Sequence, residues 1–314
     1  MRRNLALLMT FLAIGQAEAS PKVMASIMPV HSIVAAVMGA TGTPELIFSG
    51  KLSEHSAGLT AAQIARLGDA DLVFMIGKTL EFKLGQISGT ETVNGKSFIA
   101  MADAKGVVKL KTRAGGAWEK DEDEPEVVDT QDSQSSGTIA SYNAHVWLDP
   151  ENAKAMAAAV AEDLASIDSA NAEIYRANAQ TFISGLDRTE AEISASLADV
   201  KGKPFIVFHD AYPYFEKRFG LTAVGSISDA SANAPSAQRI EEIRHKIRES
   251  QALCVFREPQ FDGKFAATVI EGSKARSGVL DAVGADLELG PGAYPLLLLN
   301  IAASAKACLS GAGE

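Results

Sequence analysis

The chain has 314 residues, 47% of them hydrophobic, and a formal net charge of −10 from 39 acidic against 29 basic residues. That balance excludes a nucleic-acid partner, because phosphate binding needs basic surface. The length fits two domains of about 150 residues or one large one.

The N-terminus carries an export address. Arg2 and Arg3 precede an apolar run from Leu5 to Ile14, and Ala17-Glu18-Ala19 follows as a small-x-small cleavage signal. Basic, then apolar, then small is the order of a secretory signal peptide, here residues 1–19. The apolar run is shorter than the ~20 residues a bilayer span needs. No Cys follows the cleavage position, so a lipid anchor is not indicated. The expected destination is the periplasm, and the acidic mature surface favours solubility and attracts cations. The later run from Leu296 to Ala303 is too short to span a membrane and reads as buried core.

Lys22 to Ile27 reads as a strand ended by Pro29, and His31 to Met38 follows at helical spacing. Glu45 to Phe48 is a second strand, Ser49 to Gly58 a loop, and Thr60 to Leu67 a short helix. The run from Ala70 to Gly77 is apolar enough for a parallel strand covered on both faces. Strand and helix alternating in this way define an α/β fold.

Residues 114–141 break the pattern with Gly115, Gly116, the acidic run from Glu119 to Glu126 and a Gln/Ser/Gly stretch. This composition reads as a disordered loop with no apolar surface to bury.

From Pro150 the chain becomes helical. Asn152 to Ile167 is Ala-rich, and from Asn171 to Val200 the apolar residues Ile174, Tyr175, Phe182, Leu186, Ile193 and Leu197 keep helical spacing. A helix of that length can act as a stiff connector, and Gly202 and Pro204 end it. Phe205 to Phe208 opens a second α/β unit, continued by Tyr212 to Phe219, Thr222 to Ile227, Ser236 to Ser250, Ala252 to Phe256 and a final helix including Tyr294 to Cys308.

The expected architecture is two doubly wound α/β lobes joined by a single long rigid helix. The N-terminal lobe is 20–168, the connecting helix 169–201 and the C-terminal lobe 202–314. A ligand would lie in the cleft, at loops that follow strand carboxyl ends.

The only cysteines are Cys254 and Cys308. In an exported chain an isolated pair is most simply a disulfide, which here would tie a strand in the last third to the C-terminal helix. A zinc site built from them would call for CxxC-type spacing.

Five histidines occur. His55 lies in the loop before a helix and is preceded by Glu54; His145 stands before Val146-Trp147-Leu148-Asp149-Pro150; His209 directly follows the strand Phe205 to Phe208. A metal held by all three would sit between the lobes. Imidazole suits zinc, copper, nickel and iron. A tetrahedral ion needs a fourth ligand, for which Glu54, Asp281 and water are the candidates. His31 reads as structural, and His245, in a charged helix, as surface. No GxSxG, P-loop or HExxH motif is present. Three imidazoles with a water are also a hydrolase arrangement, for which Glu54 or Glu258 would be the base.

Several segments together resemble a known family. They are Met28-Pro29-Val30, Ser53-Glu54-His55, Asp69-Ala70-Asp71-Leu72-Val73, His145-Val146-Trp147-Leu148-Asp149-Pro150, Phe208-His209-Asp210-Ala211-Tyr212 with Tyr214-Phe215-Glu216-Lys217, Ala237-Gln238-Arg239, Cys254-Val255-Phe256-Arg257-Glu258-Pro259-Gln260-Phe261 and Leu280-Asp281. Over nearly the whole mature chain the sequence resembles the ZnuA-type zinc-binding receptors of bacterial ABC importers, within the metal-receptor cluster of solute-binding proteins.

The resemblance implies two lobes bridged by a rigid helix, with Zn2+ between them as transported ligand. It implies His55, His145 and His209 as ligands, with Glu54 completing the shell in some members and water in others. It implies a role for Asp281 that varies among relatives, a Cys254–Cys308 disulfide, a monomer, and a membrane permease as partner rather than catalytic turnover. Manganese-binding relatives usually carry a carboxylate where His209 stands, so a third imidazole favours zinc. A manganese or iron receptor, a periplasmic zinc hydrolase and a surface adhesin are the competing readings.

Two departures stand out. The insertion at 114–141 holds no His, which puts an auxiliary zinc-gathering role in doubt. Ser56-Ala57-Gly58 follows His55 where an aromatic is common, which implies a site more open to water.

Overall fold

A computed structural model describes residues 20–49, 51–90, 93, 95–113, 116–118, 142–229 and 232–311. The expected signal peptide and most of the acidic insertion lie outside the described residues.

The first lobe holds strands β1 (Val23–Ala25), β2 (Glu45–Leu46), β3 (Leu72–Met75) and β4 (Ser97–Ala100), with helices α1 (Met28–Met38), α2 (Ala61–Asp69) and α3 (Phe82–Ile87) between them. Its sheet is parallel in the order β2-β1-β3-β4. Every residue of β1 and β3 is buried, as continuous apolar runs require when helices cover both faces. Thr60 begins α2 with a reciprocal cap: its hydroxyl accepts the Gln63 N–H while the Gln63 carboxamide accepts the Thr60 N–H.

Two helices follow, α4 (Pro150–Ile167) and α5 (Ala172–Ser196), separated by a single tight turn. Asp149 caps α4 by accepting from the Glu151 N–H at 3.0 Å, with Pro150 in the first turn, where a missing N–H costs nothing. At about 37 Å, α5 is shorter at both ends than Asn171 to Val200. It packs along α4 and against α1.

The second lobe repeats the first. Strands β5 (Pro204–Val207), β6 (Thr222–Ser226), β7 (Cys254–Arg257) and β8 (Arg276–Val279) form a parallel sheet in the equivalent order, β6-β5-β7-β8. Helices α6 (Pro213–Phe219), α7 (Ala237–Ser250), α8 (Lys264–Ile270) and α9 (Ala293–Ser310) complete it. The apolar stretch within α9 extends beyond Leu296 to Ala303. The 18-residue helix is long and apolar enough to cross a membrane by length and composition, yet half of it is buried in the fold. It packs on α5 and α1, and Cys308 on it is bonded to Cys254 at the start of β7.

One expectation is corrected here. The insertion at 114–141 is not wholly without buried apolar surface. Trp118 is 2% exposed, Ala117 bridges Gly225 on the free edge of β6, and the Trp118 N–H donates to Val224 O at 3.0 Å. A side chain on Gly225 would meet Gly116 O at 2.5 Å, so this strand position has room only for glycine.

The lobes are also tied by more than α5. Trp147 Nε1 donates to Ala282 O at 2.8 Å, Tyr294 Oη to Trp147 O at 2.6 Å, and Ser32 Oγ to Gly290 O at 2.7 Å. Each joins a residue of the N-terminal half to the second lobe.

Candidate metal centre

Parallel sheets leave their strand carboxyl ends open to the cleft, where loops gather functional side chains. Three stretches of chain meet here. The loop after β2 brings Glu54 and His55, a single tight turn before α4 brings His145, and the turn that follows β5 brings His209, two residues beyond the strand. Glu54, His145 and His209 are buried and His55 is partly so. Each offers one ligand atom, and the four atoms lie within 4.8 Å of one another.

The distances suit a small tetrahedral ion. Nε2 of His145 lies 3.1 Å from Nε2 of His209 and 3.3 Å from Nε2 of His55. Oε1 of Glu54 is 3.5 Å from His145 Nε2 and 3.8 Å from the same atom of His55 and of His209. Zinc with bonds of 2.0–2.1 Å in a tetrahedron separates its ligands by about 3.3–3.4 Å.

The outer hydrogen bonds fix the tautomers. His145 Nδ1 donates to Asn143 Oδ1 at 2.9 Å, and His209 Nδ1 donates to Glu258 Oε1 at 2.7 Å. With the proton on Nδ1, each ring turns an Nε2 lone pair toward the other. Two facing lone pairs at 3.1 Å repel unless a cation, proton or metal, stands between them. Glu54 Oε1 adds a buried acceptor with no hydrogen-bond partner, a demand that the same cation would meet.

The electrostatics divide the histidines. Burial, then the neighbouring His145, lowers His55 to about 3. Burial and His209 hold His145 well below the ordinary imidazole value. At His209 burial also opposes charge, but the Glu258 carboxylate outweighs it and raises the imidazole above 6.5. Burial in turn raises Glu258.

The remaining sequence candidates fall elsewhere. Asp281 is a loop acceptor: its carboxylate takes the N–H groups of Val283, Gly284 and Ala285 at 3.1, 2.9 and 2.6 Å and the Gln260 carboxamide at 3.0 Å. It is absent from the four-residue donor group. Glu258, the alternative hydrolytic base, instead accepts both the ring N–H and the main-chain N–H of His209. His31 is buried and bonded through Nε2 to Pro44 O at 3.0 Å, while His245 is exposed beside Glu249.

Of the four donors, His55, which the small residues Ser56-Ala57-Gly58 follow, is the one partly exposed. Aromatic walls come from Trp147, 5.1 Å from the His145 ring, and Phe261, 5.6 Å from the His209 ring. Sequence reasoning missed these walls and the tautomer-setting Asn143. The sequence-level signal for Asn143 was its place two residues before His145.

Fold and donor set together define a two-lobed α/β protein of the metal-receptor class. Residues 23–307 match the family described as ZnuA, zinc-uptake complex component A, periplasmic, and the chain belongs to it. The high-affinity zinc uptake system protein ZnuA of Brucella suis biovar 1 (strain 1330) is 41% identical over 308 residues, covering 92% of this chain and 91% of the relative. A crystal structure of ZnuA superposes with a TM-score of 0.73 at 22% identity, over 91% of this chain and 99% of that one. The periplasmic zinc binding protein TroA from Treponema pallidum gives 0.75 at 18% identity, over 92% and 99%. The two structural likenesses establish the fold.

Proposed function

We propose that this protein is an exported receptor that captures Zn2+ with Glu54, His55, His145 and His209 and hands it to the membrane permease of a zinc ABC importer. The residues 1–19 act as a cleavable signal peptide that delivers it to the periplasm, and the zinc is cargo. The observation that carries the reading is the pair of Nε2 lone pairs of His145 and His209, oriented toward each other by Asn143 and Glu258. Three imidazoles and one carboxylate favour zinc over manganese, which prefers an oxygen-rich shell. The hydrolase reading is weakened by Glu258, whose Oε1 is committed to His209.

The test is chelator-competition titration of the purified mature protein with zinc and with manganese. Tight binding of one zinc ion that manganese cannot displace is the expected result. Absence of zinc binding, or preference for manganese, would overturn the reading.

A further inference from the structure

We propose that Arg113 is a positioning residue for the metal centre, acting through Asp210 on both His145 and His209; the inference rests on the zinc reading above. Arg113 touches none of the four donors. It belongs to the stretch that leaves the first lobe and crosses to the second, just before residues 116–118 pair with β6. Its side chain is 7% exposed, with the guanidinium stacked 3.7 Å from the Trp118 ring.

The fork of this guanidinium holds two carboxylates. Nε donates to Asp210 Oδ1 at 3.0 Å, and Nη2 makes a second, shorter contact with the same oxygen. Nη1 and Nη2 donate to Glu216 at 3.1 and 2.9 Å. Arg is suited to this because its donors lie in one rigid plane.

Asp210 is where the network divides. It follows His209 directly in the chain, so fixing Asp210 fixes the short turn that aims His209. Its main-chain carbonyl accepts from Asn143 Nδ2 at 2.6 Å. That bond sets which way the Asn143 carboxamide faces, and so presents Oδ1 to both Nδ1 and the main-chain N–H of His145. Asp210 thus governs one imidazole through the chain and another through Asn143. Arg113 holds Asp210 in turn, and the buried charge on Asp210 would otherwise stand without a counter-ion.

The experiment compares the parent with Arg113→Met, Arg113→Lys, Asp210→Asn and the double variant Arg113→Met/Asp210→Asn. The readouts are zinc affinity by chelator competition and the absorption spectrum with cobalt in place of zinc. Loss of an outer-sphere partner should weaken zinc binding about 10- to 100-fold in Arg113→Met and Asp210→Asn. Both should also reduce the intense cobalt bands of a tetrahedral site. Arg113→Lys should recover part of the loss, because it keeps the charge without the fork. The double variant should bind no more weakly than the worse single one, since both act along one path.

Arg176→Met serves as the control. Arg176 makes a bidentate pair with Glu162, at 2.8 and 2.7 Å, that joins α5 to α4 and touches no stretch carrying a donor histidine. It should leave zinc affinity and the cobalt spectrum intact.

Folded Arg113→Met and Asp210→Asn proteins that bind zinc as tightly as the parent, with its cobalt spectrum, would overturn the proposal. So would a double variant whose loss multiplies the two single losses. If Arg113→Met does not fold, the isosteric Asp210→Asn decides alone. A parent that binds no zinc sinks the functional reading and this inference together, whereas a parent that binds tightly beside unaffected variants sinks only the inference.

Discussion

Glu258 Oε1 accepts two hydrogen bonds from His209, one from the ring Nδ1 at 2.7 Å and one from the main-chain N–H at 3.3 Å. A single carboxylate oxygen therefore fixes both the tautomer and the orientation of one imidazole in the donor group. Replacing it by the neutral carboxamide in Glu258→Gln keeps the shape and removes the charge that makes His209 a better donor. Zinc affinity should fall about 10-fold or more, with little change in thermal stability. Undiminished affinity by chelator competition would show that Glu258 is dispensable.

The donor set itself is tested with cobalt. His55→Ala, His145→Ala and His209→Ala should each abolish the tetrahedral cobalt spectrum, and Glu54→Gln should weaken it. Asp281→Ala should instead leave the spectrum untouched and cost about 1–3 kcal/mol of stability, because buried loop N–H groups lose their acceptor. A spectrum lost in Asp281→Ala and kept in Glu54→Gln would reverse the assignment of the fourth position.

Protons compete with zinc, and the competition is concentrated at His209. Burial and the neighbouring imidazoles hold His55 at about 3 and His145 well below 6.5, so both rings stay neutral through the mildly acidic range. His209 is raised above 6.5 by Glu258 against the effect of its burial. Zinc requires the neutral ring. Affinity should therefore be full above the raised value and fall as pH drops through it, with about one proton taken up for each zinc released.

The contribution of His209 to the stability of the zinc-free fold has the opposite sign. A raised imidazole contributes stability that is fully present below 6.5 and lost as pH rises through the folded value, while the lowered His55 and His145 contribute stability that is lost as pH falls below 6.5. Zinc affinity that stays flat from neutral to mildly acidic pH would contradict this assignment, as would a stability difference between the zinc-free parent and His209→Gln that grows in favour of the parent as pH rises.

The Cys254–Cys308 bond closes a loop of 54 residues between the start of β7 and the last turns of α9. Loop-closure entropy for that span is about 4 kcal/mol. The double variant Cys254→Ser/Cys308→Ser should show a matching drop in unfolding free energy by denaturant titration, while its zinc affinity holds. The metal-facing end of β7 is the other one, where Glu258 follows Arg257. A large loss of zinc affinity in a folded variant would mean that the bond sets the site as well as the fold.

Much of this was legible in the sequence where the signal is local. The strand runs around β3 and β5, the helical spacing of α5 and the two cysteines carry their own patterns. The three histidines stand at the ends of recognisable elements. Short elements such as α3, β4, α8 and β8 escaped because four to seven residues give too little periodicity to read.

The partners of the donor histidines escaped for a different reason. Glu258 and Arg113 act on residues 49 and 97 positions away, and no local pattern encodes such pairings; only Asn143, two residues before its partner, left a local sign. The burial of Trp118 was masked by the acidic run beside it. Gly225, isolated inside a strand-like run, was the one local sign that another backbone comes close.

The four donors come from three stretches of chain that only the folded molecule brings together. Zinc is consequently a ligand of the native state and not of the unfolded chain. At free zinc a thousand-fold above the dissociation constant, that preference amounts to about 4.1 kcal/mol of added stability. A loaded receptor and an emptied one then differ in lifetime as well as in cargo. Where metal is scarce, the emptied form should open more often and be the one more exposed to proteolysis.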